Sequence, residues 1–276
     1  MNLRVGILTD QYPSRKHPDR GTFVLDLVTH LRSAGVGVDV IDHSRNFAAM
    51  SLECLIRSAR IDVFDAQFIA PAGVVASLTP RLAPLVITVH RWDVFEFPYS
   101  WPMARIATIT ALNRAKGIIA VGRTVKSEIM KFVRIDSRVS IIPNAVDTQT
   151  YRADLDFSFL KRQLAIPEGH KVVLSVGHLI PRKDFGSLLQ AMAQTSPACP
   201  CTLIVVGGGP QRDELEKLGR SLRLGDRLKL TGVVQSSILP YFYAMADIFV
   251  MPSLLEGHCV SILEAMSAGK PIVATE

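Results

Sequence analysis

The chain has 276 residues, 48% hydrophobic and 20% charged, with a formal net charge of +6. That length buries one large core or two smaller ones, no run of about 18 apolar residues offers a membrane span, and residues 1–20 lack the apolar segment of a secretory signal. The four cysteines have no metal-ligand spacing, so a reduced cytoplasmic compartment is the simple reading.

Residues 3–8 read as a short buried strand, 9–20 as a polar, proline-containing loop, and 22–34 as a helix with Phe23, Leu27 and Leu31 on one face. Gly35 and Gly37 end that helix, and 38–41 is the next strand. This strand–loop–helix–strand opening is Rossmann-like. The alternation continues: strands at 61–66, 85–89, 117–121 and 139–142, with helices from 71, 101 and 122 between them. Such spacing predicts a parallel sheet covered on both faces. Ligands of such sheets sit at the carboxyl ends of the strands, where His90 falls.

Pro143 to Asp147 is the expected domain boundary, giving domains 1–145 and 146–276. The alternation then restarts with strands at 171–176, 202–206, 228–231 and 247–251, and helices at 184–194, 211–221 and 236–245. Gly207-Gly208-Gly209 invites a dinucleotide reading. However, Arg212 stands where the third glycine of that fingerprint belongs, and no acidic residue ends a following strand at the required distance.

The last stretch, 252–275, reads as loop, helix and buried strand. Glu256 lies just before the helix and Glu264 about two turns along it. At about 1.5 Å rise per residue the two are on the order of 10 Å apart, wider than carboxylates sharing one glycosidic bond. The spacing suits carboxylates that hydrogen-bond hydroxyls of two different sugars, with a helix N-terminus between them that favours an anion. A nucleotide sugar has that order: sugar, diphosphate, ribose.

EGHCVSILE, followed by EAMSAGKPIVAT, resembles the paired-glutamate signature of retaining glycosyltransferases of family 4, which have two Rossmann-like domains (the GT-B fold). The likeness extends to YPSRKHPDRGTFV with Gly21, to VITVHRWD with His90, to the interdomain PNAVD, and to GHLIPRKD. In the last, Lys183 matches the family's diphosphate-binding lysine, while His178 stands where arginine is common and Arg182 is a further cation.

The resemblance implies an α/β chain of two Rossmann-like domains, the second incomplete, with the active site in the cleft between them. It implies a nucleotide-diphosphate sugar as donor, no metal or other cofactor, and a glycan or lipid-linked acceptor beside the first domain. His90 and Glu256 would orient the donor sugar as the catalytic pair. Gly21, His178, Arg182, Lys183, Val234, Gly257, His258, Cys259 and Glu264 would complete the donor site, with Val234 near the base and Glu264 on the ribose. The first 150 residues carry 18 basic and 13 acidic side chains, the remainder 13 and 12. The basic first half is compatible with peripheral contact at the inner face of an anionic membrane, and no motif supports a nucleic-acid partner.

Members of the family continue beyond the point matching residue 276, which implies poor solubility and little transferase activity for these residues alone. The alternatives left open are an inactive nucleotide-sugar or glycan-binding protein and an epimerase or phosphorylase of the same architecture.

Overall fold

In the computed structural model the described residues are 3–13, 21–42, 46–80, 83–134, 136–195 and 198–275. Most of the loop expected over 9–20 lies outside them. The chain divides into two compact units, Met1–Asn144 and Ala145–Glu276.

The first unit runs β1 (Arg4–Thr9), α1 (Thr22–Ser33), β2 (Gly37–Asp42), α2 (Phe47–Arg57), β3 (Val63–Gln67), α3 (Val74–Leu78), β4 (Leu85–Val89), α4 (Arg91–Phe95), α5 (Ala104–Arg114), β5 (Gly117–Ala120), α6 (Arg123–Ile129) and β6 (Val139–Ile141). Its six strands are parallel, in the order β2-β1-β3-β4-β5-β6. Adjacent residues of β1 explain the layering. Ile7 packs with Val24 and Val28 of α1, and Leu8 packs into the larger cluster with Met50 and Phe64. Both are fully buried, as a parallel sheet covered on two faces requires, and each such side chain contributes roughly 1.5–3 kcal/mol.

Helix α2 has no counterpart in the sequence reading. Phe47, Leu52 and Ile56 are exposed while Met50 and Cys54 are buried, so apolar residues surround the helix and blur its period. Its start is marked instead by Asn46, whose Oδ1 accepts from Ala49 N at 3.0 Å. The helix expected from 101 begins at Ala104, because Pro102 disfavours helical backbone at Trp101.

The second unit runs α7 (Ser158–Gln163), β7 (Lys171–Val176), α8 (Phe185–Ala193), β8 (Cys201–Val206), α9 (Arg212–Ser221), β9 (Leu228–Gly232), α10 (Leu239–Met245), β10 (Ile248–Met251), α11 (Val260–Ser267) and β11 (Ile272–Ala274). Its sheet is parallel, in the order β11-β10-β7-β8-β9. β11 was expected to be buried. Among the described residues it is the outermost strand of this sheet, with Val273 53% exposed.

Strand order positions the sites. In the first sheet the order reverses between β1 and β3, in the second between β7 and β10. At such a switch point the loops leaving the two strands diverge to opposite faces and open a crevice at the carboxyl ends. The segments concerned are those after Thr9, Gln67, Val176 and Met251.

Candidate active site

In the second unit, β7 and β10 are neighbours, with Val173 opposite Ile248 and Leu174 opposite Phe249. The segments after them are joined by charge. A single turn, Pro181–Lys183, follows β7. Lys183 is 9% exposed, unlike the exposed helix-start lysine that would carry no function. Its Nζ donates to Glu256 Oε1 at 2.6 Å, and Arg182 Nη1 donates to the same oxygen at 3.0 Å. Arg182 also donates to Leu255 O, and Leu254 N donates back to Arg182 O.

Burial pushes the Glu256 carboxyl up, but Lys183, Ser253 and Arg182 together outweigh burial and hold it below the usual carboxylate range. The three ionised side chains sum to +1. Lys183 has three donor hydrogens, with Glu256 Oε1 and, at 4.0 Å, Met251 Sδ as neighbours. The arrangement is a cationic pair held by a carboxylate that an incoming anion can displace.

Glu264 stands on the second turn of α11. Its Oε2 accepts from Tyr243 Oη at 2.5 Å. Tyr243 of α10 is fully buried, its ring against Tyr151 and Phe249. Burial first, then the Glu264 charge, raises the phenol well above its ordinary value, so it stays a donor. Sequence reasoning missed Tyr243. The available signal was a tyrosine in the apolar segment of α10, since a buried phenol requires a partner.

The remaining donor-side residues are more dispersed. The helix N-terminus expected near Gly257 falls at Val260, with Cys259 as the extended residue before it. Gly257 and His258 are half-buried between Glu256 and that start, burial lowers the His258 imidazolium, and Cys259 Sγ lies 3.1 Å from Ser261 Oγ. Val234 packs at the edge of the unit's core. His178 is exposed. Its neighbour Gly177 is pressed by Gly207, where an added Cβ would lie 2.0 Å from Gly177 O. The glycine run thus serves close backbone packing of two loops.

In the first unit, Gly21 opens α1 in the left-handed region with φ 63°, and a Cβ there would meet Gln11 O at 2.1 Å. Two residues on, Phe23 packs edge-on to His90 with ring centroids 5.0 Å apart, and Phe68 lies 4.5 Å from the same ring. Gly21 and His90 are therefore joined through Phe23. His90 follows β4, and its N–H donates to Asp93 Oδ2 at 2.8 Å, while Ile69 N donates to Asp93 Oδ1 at 2.7 Å. Burial pushes the imidazolium of His90 down to about 4, so the ring is neutral at physiological pH. Its Nε2 meets Gln67 Oε1 at 3.2 Å.

Among the described residues, no group of three or more His, Cys, Asp or Glu is gathered to hold a metal ion. No helix among them is long and apolar enough to cross a membrane.

Two Rossmann-like units with parallel sheets, one carrying a cation–carboxylate cluster at its switch point, define a GT-B-type protein. The family model Glycosyl transferases group 1 matches residues 156–276, and Glycosyltransferase Family 4 matches 43–150. The chain belongs to these glycosyltransferases.

It is 29% identical over 218 residues to the GDP-mannose-dependent alpha-(1-6)-phosphatidylinositol monomannoside mannosyltransferase of Mycolicibacterium smegmatis, covering 74% of this chain and 56% of that one. It is 31% identical over 195 residues to the 2-deoxystreptamine glucosyltransferase of Streptomyces kanamyceticus, covering 69% and 46%. The chain thus spans about half the length of these relatives. Among solved structures, Anabaena HepE in complex with UDP and glucose matches with a TM-score of 0.79 at 23% identity, over 99% of this chain and 80% of that one. Sucrose-phosphate synthase from Thermosynechococcus elongatus matches with a TM-score of 0.78 at 19% identity, over 99% and 81%. At those identities the structures speak for the fold.

Proposed function

We propose that this protein transfers a hexosyl group from a nucleoside diphosphate sugar to a hydroxyl of a glycan or lipid-linked acceptor, with retention of configuration. The observation that carries the reading is the convergence of Lys183 and Arg182 on Glu256 Oε1, at the switch point of the second sheet. A diphosphate competes with that carboxylate for both cations, and in a partly dry site such charge-assisted bonds are strong. Once displaced, Glu256 turns to the sugar hydroxyls, while Glu264, steadied by Tyr243, accepts from the ribose. Gly257, His258, Cys259 and His178 line the approach to the diphosphate, Val234 the nucleoside side, and Gly21 and His90 the sugar from the first unit.

In the reaction the bond between the sugar's anomeric carbon and the phosphate oxygen breaks, and its electron pair leaves with the diphosphate. Lys183 and Arg182 offset the charge that develops there. The acceptor oxygen bonds to the anomeric carbon on the same face, and its proton passes to the departing phosphate oxygen. The two protein cations fill the electrostatic role that a divalent ion otherwise plays, so transfer proceeds in the presence of a chelator.

UDP-glucose complexes among the structural neighbours and a GDP-mannose-dependent relative support a nucleotide sugar as donor. The test is a panel of UDP-, GDP- and ADP-hexoses, read by thermal shift and by release of nucleoside diphosphate with glycan and lipid-linked acceptors. A ligand at about 100 times its dissociation constant adds roughly 2.7 kcal/mol of stability. Anomeric configuration of the product is read by NMR. Stabilisation by a nucleotide sugar without turnover on any acceptor marks the binding-protein reading, and absence of both overturns the proposal.

A further inference from the structure

Helix α9 and strand β9 of the second unit border a groove of about 570 Å³, within the size range of small-ligand sites. Arg212, Glu216, Arg220 and Arg223 line it from α9 and the turn after it, and Leu228 and Leu230 from β9. The four α9-side positions recur every three or four residues, so they form one stripe along the helix. Gly219 lies beside them, and a Cβ there would meet Leu228 Cδ2 at 2.5 Å. Its missing side chain lets the helix sit low over Leu228 and keeps the floor apolar. Among the described residues β9 is the outermost strand on its side of the sheet, which leaves the groove open.

The charges around it do not cancel. Arg212 is anchored: its Nε pairs with Glu216 Oε1 at 3.0 Å, and its Nη2 donates to Leu230 O at 3.1 Å. The nearby acid Asp226 pairs with Lys229. Among the described residues, the side chains of Arg220 and Arg223 make no hydrogen bond or ion pair. Two guanidinium groups therefore stand uncompensated at one end of an apolar floor.

Arg223 also occupies a position that suits glycine. Leu224 N donates to Gly219 O and Arg223 N to Arg220 O, each at 3.0 Å, the two bonds of a Schellman ending, with Arg223 in the left-handed region at φ 55°. That conformation disfavours any residue with a Cβ. Helices α1 and α11 end in the same way on Gly35 and Gly269, and α7 on Ala165. Of these four, only α9 places a long cationic side chain at the turn. A basic group near a helix C-terminus complements the dipole, but Arg220 in the last turn already supplies one. Glycine at 223 would close the helix with less strain, so the guanidinium itself needs a reason.

We propose that this groove binds a phosphate-bearing ligand, with the phosphate held between Arg220 and Arg223 and an apolar body against Leu228 and Leu230. The two arginines are one turn apart, on the order of 5 Å along the axis, a spacing at which two guanidinium forks converge on one phosphate. The site is separate from the Lys183–Arg182 cluster. That cluster follows β7 at its carboxyl end, whereas Arg220 and Arg223 precede β9, at the amino ends of the strands and two strands away. It therefore does not depend on the donor assignment. The phosphate belongs either to a free phosphorylated molecule or to a lipid headgroup, and the test separates the two.

The test is amide proton–nitrogen NMR of the full chain at about 0.15 M salt, where diffuse attraction between exposed charges is largely screened. Phenyl phosphate serves as the soluble probe. Saturable shifts of the Gly219 and Gly225 amides are expected, with a dissociation constant below about 1 mM. Arg223→Gly should weaken that binding about tenfold or more while raising the thermal midpoint by roughly 2–4 °C, because the strain at the turn is relieved. Arg220→Gln should weaken binding without that rise. Sedimentation with phosphatidylcholine vesicles, with and without phosphatidic acid, forms the lipid arm. Binding to the acidic vesicles that Arg223→Gly abolishes assigns the phosphate to a lipid headgroup. Saturation by phenyl phosphate without such vesicle binding assigns it to free phosphorylated molecules. No saturable shift at Gly219 and Gly225, or equal binding by the parent and Arg223→Gly in both arms, overturns the proposal.

Discussion

Lys183 Nζ lies 2.6 Å from Glu256 Oε1, and the two residues are 73 positions apart in the chain. The pair rests at the carboxyl ends of adjacent strands β7 and β10 and gives opposite predictions for its two members. Lys183→Ala removes a cation that a diphosphate would use and leaves a partly buried carboxylate with Arg182 and Ser253. Nucleoside diphosphate binding should weaken tenfold or more, about 1.4 kcal/mol, with transfer falling further. Glu256→Gln removes the internal competitor, so the free nucleoside diphosphate should bind tighter by about three- to tenfold while transfer falls by at least that factor. Calorimetric titration with UDP and GDP, beside initial rates, checks both. Weaker diphosphate binding in Glu256→Gln would show that the carboxylate organises the cations rather than competing for them.

The bond from Tyr243 to Glu264 predicts a cost in two places. Tyr243→Phe keeps the buried ring and removes one donor to a half-buried carboxylate, which should lower stability by roughly 1–3 kcal/mol. Because Glu264 then loses its fixed rotamer, affinity for the nucleoside diphosphate should fall about threefold or more, and affinity for inorganic pyrophosphate, which has no ribose, should not change. Equal losses for both ligands would detach Glu264 from the ribose.

Gly21 makes the sharpest stability prediction. Its φ of 63° and the 2.1 Å approach to Gln11 O leave no room for a Cβ. Gly21→Ala should destabilise the first unit by about 1–3 kcal/mol, measured by urea unfolding. It should also loosen the packing of Phe23 on His90, visible as a change in the His90 imidazole shifts. Parent-like stability would mean the turn rearranges freely.

The pH dependence of stability follows from His90. Its folded-state value, about 4, lies below its ordinary 6.5, so the ring's contribution is fully present above pH 6.5 and is lost as pH falls through 4. The shift corresponds to an order of 3 kcal/mol. Burial acts in the opposite sense on Asp65, raised to about 6, and Asp93, raised to about 7. Their contributions are present at low pH and lost as pH rises through those values. Together the two carboxylates outweigh His90, so the parent should lose stability overall as pH rises from 4 to 7. His90→Ala, lacking the acid-sensitive group, should gain stability relative to the parent as pH falls across that window. Denaturant unfolding at pH 4.5 and 7.5 measures the difference.

Much of the architecture is legible in the linear chain, for a local reason. A strand between two helical layers is apolar at consecutive positions, as at Ile7 and Leu8, and a helix ends where glycine or proline ends it, as at Gly35 and at Gly269 with Pro271. Those signals are carried by a few neighbouring residues. The two glutamates eight positions apart, with the flanks they share with a known family, carried the functional reading in the same way. Where the local signal was weak the reading failed: α2 has apolar residues on all sides, which blurs its period.

The partners of the site residues were decided by the tertiary structure. The linear chain related Glu256 to Glu264 by spacing and, through its likeness to a known family, marked Lys183 and His90 as further candidates. Strand order brings β10 beside β7 and so Glu256 to Lys183 and Arg182, helix packing sets Tyr243 against Glu264, and the register of β3 with β4 lines up Asp65, Gln67 and His90. No local period encodes which strand lies next to which. That choice follows from how two faces of each sheet are covered at once, a property of the whole unit, and the hydrogen bonds and ion pairs of the site are formed only after it is made.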